Sequence, residues 1–133
     1  MQNVSFIVPN YNAENTIGKC IESIQRQKYR GKIEVIVIDD KSTDNSLKVI
    51  SNYKIKLIKN KANLGLSKSL NKAIKLAKYD LLSIIWCDCI LENDSWLNEM
   101  VKVYNSNENL AAVSSKLIIP KGYWNKFSFY DII

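Results

Sequence analysis

The chain has 133 residues, of which 47% are hydrophobic, with 19 basic and 13 acidic side chains and no histidine. That length suits one domain with its own core, and that apolar share excludes a disordered chain. The net charge of +6 leaves anionic partners open. The lysines read as spread along the chain, however, with no tract of five or more like charges, so a solvated exterior is expected and a nucleic-acid partner is not. Lack of histidine removes the commonest general base and the commonest soft-metal ligand. The first residues enter a strand with no leader pattern and no run of membrane-spanning length. The three cysteines are odd in number, so a reduced, cytoplasmic protein is expected.

In chain order, Val4 to Val8 is an apolar strand that Pro9 is expected to stop. Ile17, Cys20, Ile21 and Ile24 recur at helical spacing. Ile33 to Ile38 is apolar on both alternating faces, the pattern of an interior parallel strand covered by helices on either side, and it ends in Asp39 and Asp40. Ser42 or Thr43 is expected to cap a second helix using Leu47 and Ile50, and Ile55 to Ile58 forms a short third strand. A third helix puts Leu66, Leu70, Ala73, Ile74 and Ala77 on one face. Leu81 to Trp86 is a fourth strand. Asn93 or Asp94 caps a fourth helix with Leu97, Met100, Val101 and Tyr104 inward, and Ala111 to Ser115 is a candidate fifth strand. Strands alternating with helices predict an α/β three-layer sandwich, a mostly parallel sheet with helices on both faces.

Four successive strand ends carry polar or special residues: Pro9-Asn10-Tyr11-Asn12, Asp39-Asp40, Asn60 with Asn63-Leu64-Gly65, and Asp88. Each alone could be an ordinary loop aromatic, a helix cap or a turn. Together they line the edge of the sheet where α/β proteins bind ligands. A tyrosine face can stack on a base, carboxylates can accept from base or ribose, and a further carboxylate can hold a divalent cation on a pyrophosphate. No GxxxxGK[ST] or GxGxxG occurs, which disfavours Walker-type ATPases and dinucleotide dehydrogenases. Cys20, Cys87 and Cys89 read as small buried hydrophobes rather than as a thiolate metal site.

The stretches VSFIVPNYNAENTIGKCIESIQRQ, VIVIDDKSTDNS and NLGLSKSLNKAIKLAKYDLLSIIWCDCILENDSWL together resemble the amino-terminal, nucleotide-binding half of family 2 glycosyltransferases, which have the GT-A fold. The resemblance implies a glycosyltransferase that binds a nucleotide-diphosphate sugar, with a UDP-sugar as donor and inverting displacement. By the same resemblance Pro9 and Tyr11 match the loop that packs on uracil, with Glu14 near the base. Asp40 matches the acceptor of the uracil N3–H, with Asp39 beside it. Asn63 and Gly65 match the loop over the nucleotide, and Asp88 matches the ligand of Mg²⁺ or Mn²⁺ on the diphosphate.

Trp86 stands where the family's D-x-D motif commonly has its first carboxylate. Leu70 stands where an arginine is common, leaving Lys68 as the nearest phosphate contact. In the family the acceptor site and general base follow the acidic motif, and here Asp131 is the one acid after Ser115. The expectation is therefore a GT-A domain over residues 1–115 and an apolar, basic tail over 116–133 that opens a missing acceptor half. The tail could pack on the sheet, form a homo-oligomer interface or meet a membrane beside Lys116, Lys121 and Lys126. A lipid-linked acceptor at the inner membrane face stays open, as does the alternative of a non-catalytic nucleotide-sugar-binding or assembly module.

Overall fold

Strand β1 (Val4–Asn10) is buried at all seven positions in the computed structural model, which describes residues 2–115. Helices α1 (Ile17–Gln25), α2 (Ser46–Ile50), α3 (Leu66–Lys75) and α4 (Trp96–Tyr104) alternate with strands β2 (Ile33–Asp39), β3 (Lys56–Lys59) and β4 (Leu81–Ile84). Among the described residues the sheet has the order β3-β2-β1-β4, and every pairing is parallel. The chain divides into two units, Met1–Glu99 and Met100–Ile133. The first contains the whole sheet.

The strand order dictates the layers. From β1 to β2 to β3 the chain steps one way across the sheet, and from β3 to β4 it steps back. Right-handed crossovers then put α1 and α2 on one face and α3 on the other. Ile7, Ile36 and Ile38 alternate onto the α3 face and form a buried cluster with Ala73, flanked by Ile58, Leu70, Ala77 and Leu82. Phe6, Val8 and Val37 have the opposite parity and are equally buried, as are Ile17, Cys20, Ile21 and Ile24 of α1.

Four expectations need correction. Pro9 does not stop β1 but pairs in register with Ile38. Even-numbered residues of β1 bond toward β2, as when Asn10 O accepts from Asp40 N at 2.9 Å, whereas Ile7 O accepts from Ile85 N on the β4 side. Pro9 therefore faces the β4 side one step past that ladder, where no donor is missed. The fourth strand ends at Ile84 rather than Trp86; the next β1 residue facing that side is Pro9, which has no N–H to continue the ladder. Neither Ser42 nor Thr43 caps α2, which begins at Ser46 after Asn45. Ala111 to Ser115 form no strand; Val113 is their one branched side chain, too little surface for a pleat. Of the expected inward positions on α4, Leu97 and Val101 are buried. The tail over residues 116–133 lies outside the described residues.

Candidate functional site

The succession of strands reverses between β1 and β4, so the crevice beyond their carboxyl ends is the sheet's switch point. Tyr11, 51% exposed, leaves the end of β1, and Trp86, 45% exposed, follows β4. A turn closed by Cys89 N donating to Trp86 O at 2.9 Å carries Asp88 outward, and Cys20 Sγ donates to Trp86 O from α1 at 3.4 Å. Asp88 is exposed, and the Cys89 thiol at 3.9 Å is its one hydrogen-bond neighbour among the described residues. Because β4 ends early, the Trp86 indole and the Asp88 carboxylate sit on this turn rather than two apart on a pleat.

The paired carboxylates diverge, as neighbours on a strand must. Asp39, 1% exposed, turns toward β1: its Oδ1 accepts from Asn10 Nδ2 at 2.8 Å and its Oδ2 from Ser42 N at 3.1 Å. Asp40, 7% exposed, turns toward the loop after β3. Its Oδ1 accepts from Asn60 Nδ2 at 2.9 Å and Leu64 N at 2.8 Å, and its Oδ2 accepts from Gly65 N at 2.8 Å. Burial pushes the Asp40 carboxyl up. The Leu64 N–H, the Asn60 amide, the Ser69 hydroxyl and the Gly65 N–H outweigh it and hold the group below its ordinary value. Asn60 extends this network, donating to Ser69 Oγ at 2.8 Å and accepting from Lys72 Nζ at 2.8 Å. Each aspartate thus fixes one neighbouring loop, with little acceptor capacity left over for a ligand.

Glu14 is likewise occupied. Its Oε2 accepts from both Asn45 N and Asn45 Nδ2 at 2.8 Å, and its own N–H donates to Asp44 Oδ2 at 2.9 Å. Around it the loop after β1 and the loop after β2 are laced together. Asn12 N donates to Ser42 Oγ at 2.9 Å, Thr43 N to Asn12 Oδ1 at 2.8 Å, and Ala13 N to Ser46 Oγ at 2.9 Å. Burial raises the Asp44 carboxyl, but the Ser46 hydroxyl and N–H and the Glu14 N–H bring it below its ordinary value. Asn10 and Asn12 were noted from the sequence only as part of a polar strand end and Ser42 only as a helix cap, and Asp44 and Ser46 were not singled out. The signal was there in the density of Asn, Ser and Asp at two strand ends, residue types that bond locally to backbone. Asn10 Oδ1 is buried with no donor of its own among the described residues.

Three backbone conformations shape these loops. Gly65 has φ 81° and ψ 160°, a region essentially confined to glycine, which lets its N–H and that of Leu64 converge on Asp40. Asn12 and Lys41 are left-handed with φ 50° and 69°. Asparagine tolerates this; for lysine it costs about 1–2 kcal/mol. Lys41→Gly is expected to stabilise the protein by about 0.5–1 kcal/mol, because relief of the left-handed penalty exceeds the added unfolded-state entropy. A rise in the urea midpoint at constant m-value checks it.

Pro9 is buried at the base of this edge, Asn63 is exposed with its Oδ1 accepting from Gly65 N at 3.1 Å, and Lys68 is exposed in the first turn of α3. The structure thus brings Pro9, Tyr11, Asp39, Asp40, Asn63 and Gly65 to one edge with Asp88, and puts Glu14 into the loop lacing instead. Burial, then the charges of Cys87, Cys89 and Asp88, push the Cys20 thiol up to about 12. Burial and the Asp88 charge also raise Cys87 and Cys89. Iodoacetamide at pH 8 is expected to leave Cys20 unmodified in the folded protein, as peptide mass mapping would report. Among the described residues no group of three or more acidic or cysteine side chains forms a metal cage. A lone exposed carboxylate such as Asp88 has the chemistry to share a hard cation with oxygens supplied by a ligand.

The sheet and the crevice at its switch point match the GT-A fold, on which solved glycosyltransferase structures superpose. A mannosyltransferase from Pyrobaculum calidifontis in complex with GDP-Man and Mn²⁺ matches with TM-score 0.79 and 27% identity, over 92% of this chain and 37% of that one. S. aureus TarS in complex with UDP-GlcNAc matches with TM-score 0.70 and 28% identity, over 79% of this chain and 32% of that one. Residues 5–129 match the family described as glycosyl transferase family 2, and the chain belongs to that family. An uncharacterized glycosyltransferase of Haemophilus influenzae is 36% identical over 121 residues, which cover 87% of this chain and 37% of that protein. The chain spans about a third of the length of such relatives.

Proposed function

We propose that the chain binds the donor of a glycosyl transfer, a nucleotide-diphosphate sugar, with a UDP-sugar as the first choice. The observation that carries this reading is the exposed Tyr11 ring and the exposed Asp88 carboxylate at one switch point. Tyr11 supplies a stacking face for uracil, Asp39 and Asp40 hold the loops that frame the base, and Asn63 and Gly65 cover the nucleotide. Lys68 contributes positive charge toward the diphosphate. Asp88 would hold Mg²⁺ or Mn²⁺, which when bound neutralises the diphosphate as leaving group. The names of the solved relatives support a nucleotide sugar and, for one, Mn²⁺. They include both UDP and GDP sugars.

Transfer would invert the anomeric centre, with an acceptor hydroxyl deprotonated by a carboxylate from an acceptor half that residues 116–133 would open. We assign the donor domain to residues 1–115. The same reading sets the chain at a membrane face, with a lipid-linked saccharide as acceptor. A non-catalytic binding module is the second reading, favoured by Trp86 standing beside a lone Asp88. Release of UDP from UDP-GlcNAc, followed with and without Mn²⁺, separates them: turnover supports the transferase, and saturable binding without turnover supports the module.

A further inference from the structure

The lysines are not evenly spread. Between Asn45 and Tyr79 lie nine lysines, no arginine and no acid, which leaves ten basic against thirteen acidic side chains in the rest of the chain. All nine except Lys48 lie on β3, α3 or the loops flanking them. The fold gathers them: β3 is the edge of the sheet, α3 covers the adjoining face, and Lys56 Nζ bridges the two by donating to Leu76 O at 2.5 Å. On the outer side of α3, Lys68, Asn71, Lys72, Lys75 and Leu76 line a shallow depression. Leu76 is exposed beside these lysines, whereas the exposed Leu66 and Ile74 lie toward the apolar side of the helix.

The charge is mostly uncompensated. Lys56 pairs with Glu34 at 3.7 Å, and Lys72 is held by Asn60, while Lys54, Lys59, Lys61, Lys68 and Lys75 are exposed with no acidic partner among the described residues. Two features distinguish the anion this surface suits. Lysine is a flexible point charge, matched to fluid headgroups rather than to the forked geometry arginine gives a fixed phosphate. Aromatic platforms for bases are lacking here, since Tyr53 is half-buried and donates to Glu22 Oε1 at 2.7 Å, and Tyr79 is half-buried beneath Lys78. The exposed Leu76 beside the lysines adds an aliphatic contact that a bilayer can use and a nucleic acid cannot.

We propose that the outer face of α3, together with edge strand β3, rests on an anionic lipid bilayer. The lysine ammoniums meet the phosphate headgroups, and Leu76 reaches toward the acyl boundary. This deepens the membrane-face part of the proposed function and rests on that part alone, because Lys68 is the one residue it shares with the donor site and the variants that test it leave Lys68 in place. Since α3 runs back from the carboxyl edge of the sheet, its first turn would bring the crevice beside the bilayer surface.

The test is co-sedimentation of the full chain with vesicles of phosphatidylglycerol and phosphatidylcholine, against phosphatidylcholine alone, at low and high salt. Binding is expected to the anionic vesicles only and to fall about tenfold or more at high salt. Lys54→Glu/Lys75→Glu should lower partitioning about tenfold or more, whereas Lys19→Glu/Lys32→Glu, the same charge change away from α3, should lower it less than about threefold. Equal losses in the two pairs, no loss in the first pair, equal binding to neutral vesicles, or tighter binding to a single-stranded oligonucleotide would each overturn the proposal. Titration of UDP into the same preparations keeps the two readings apart. Failure of the wild type to bind UDP strikes the donor site and leaves the vesicle result standing.

Discussion

Asp88→Ala is expected to remove the metal-dependent part of nucleotide binding, raising the Kd for UDP in Mn²⁺ by about 100-fold, or roughly 2.7 kcal/mol. The size follows from the site. A hard cation on a diphosphate takes most of its ligands from phosphate and water, so the one carboxylate that the protein supplies has no substitute nearby. Asp88 is exposed on a turn that backbone bonds close, so the substitution should change unfolding free energy by less than about 0.5 kcal/mol. Weakened binding with unchanged stability is the signature to look for. The same Kd for wild type and variant, each in Mn²⁺, would remove Asp88 from the site.

Asp40→Asn should do the reverse, costing about 3 kcal/mol of stability. An amide in place of the carboxylate must turn an NH₂ toward either Gly65 N–H or the Leu64 N–H and Asn60 amide, leaving donors facing donors in a buried place. The pH dependence has a definite sign. The carboxyl lies below its ordinary value when folded, so its stabilisation is fully present above the unfolded value and is lost as pH falls through the depressed folded one. Wild-type stability should therefore drop from about pH 4 downward, and the variant, already without this contribution, should lose less there. Urea unfolding of both proteins from pH 7 to pH 3 measures it. Parallel curves would mean that Asp40 is not the titrating group.

What could be read from the sequence was set by pattern. The unbroken Ile and Val run of β2 and the apolar spacing of α1 and α3 specify their elements because one face or both must leave water. The order of elements then fixes the switch point. The ends were harder, because they depend on neighbours: Pro9 fits in β1 because its missing N–H falls on the β4 side, where pairing stops after Ile84. The roles of Asp39, Asp40 and Glu14 in holding loops were invisible for a related cause, since their partners Asn10, Asn60 and Asn45 lie up to 31 residues away. Tyr11 and Asp88, by contrast, stand exposed at the edge where the strand ends put them.

The central claim is a donor site for a nucleotide sugar at the β1/β4 crevice. Calorimetric titration of UDP into the purified chain, first with Mn²⁺ and then with EDTA, with GDP as the comparison nucleotide, tests it most directly. Saturable one-site binding of UDP that requires the metal and exceeds that of GDP is expected. Absence of binding by either nucleotide in the presence of Mn²⁺ would contradict it.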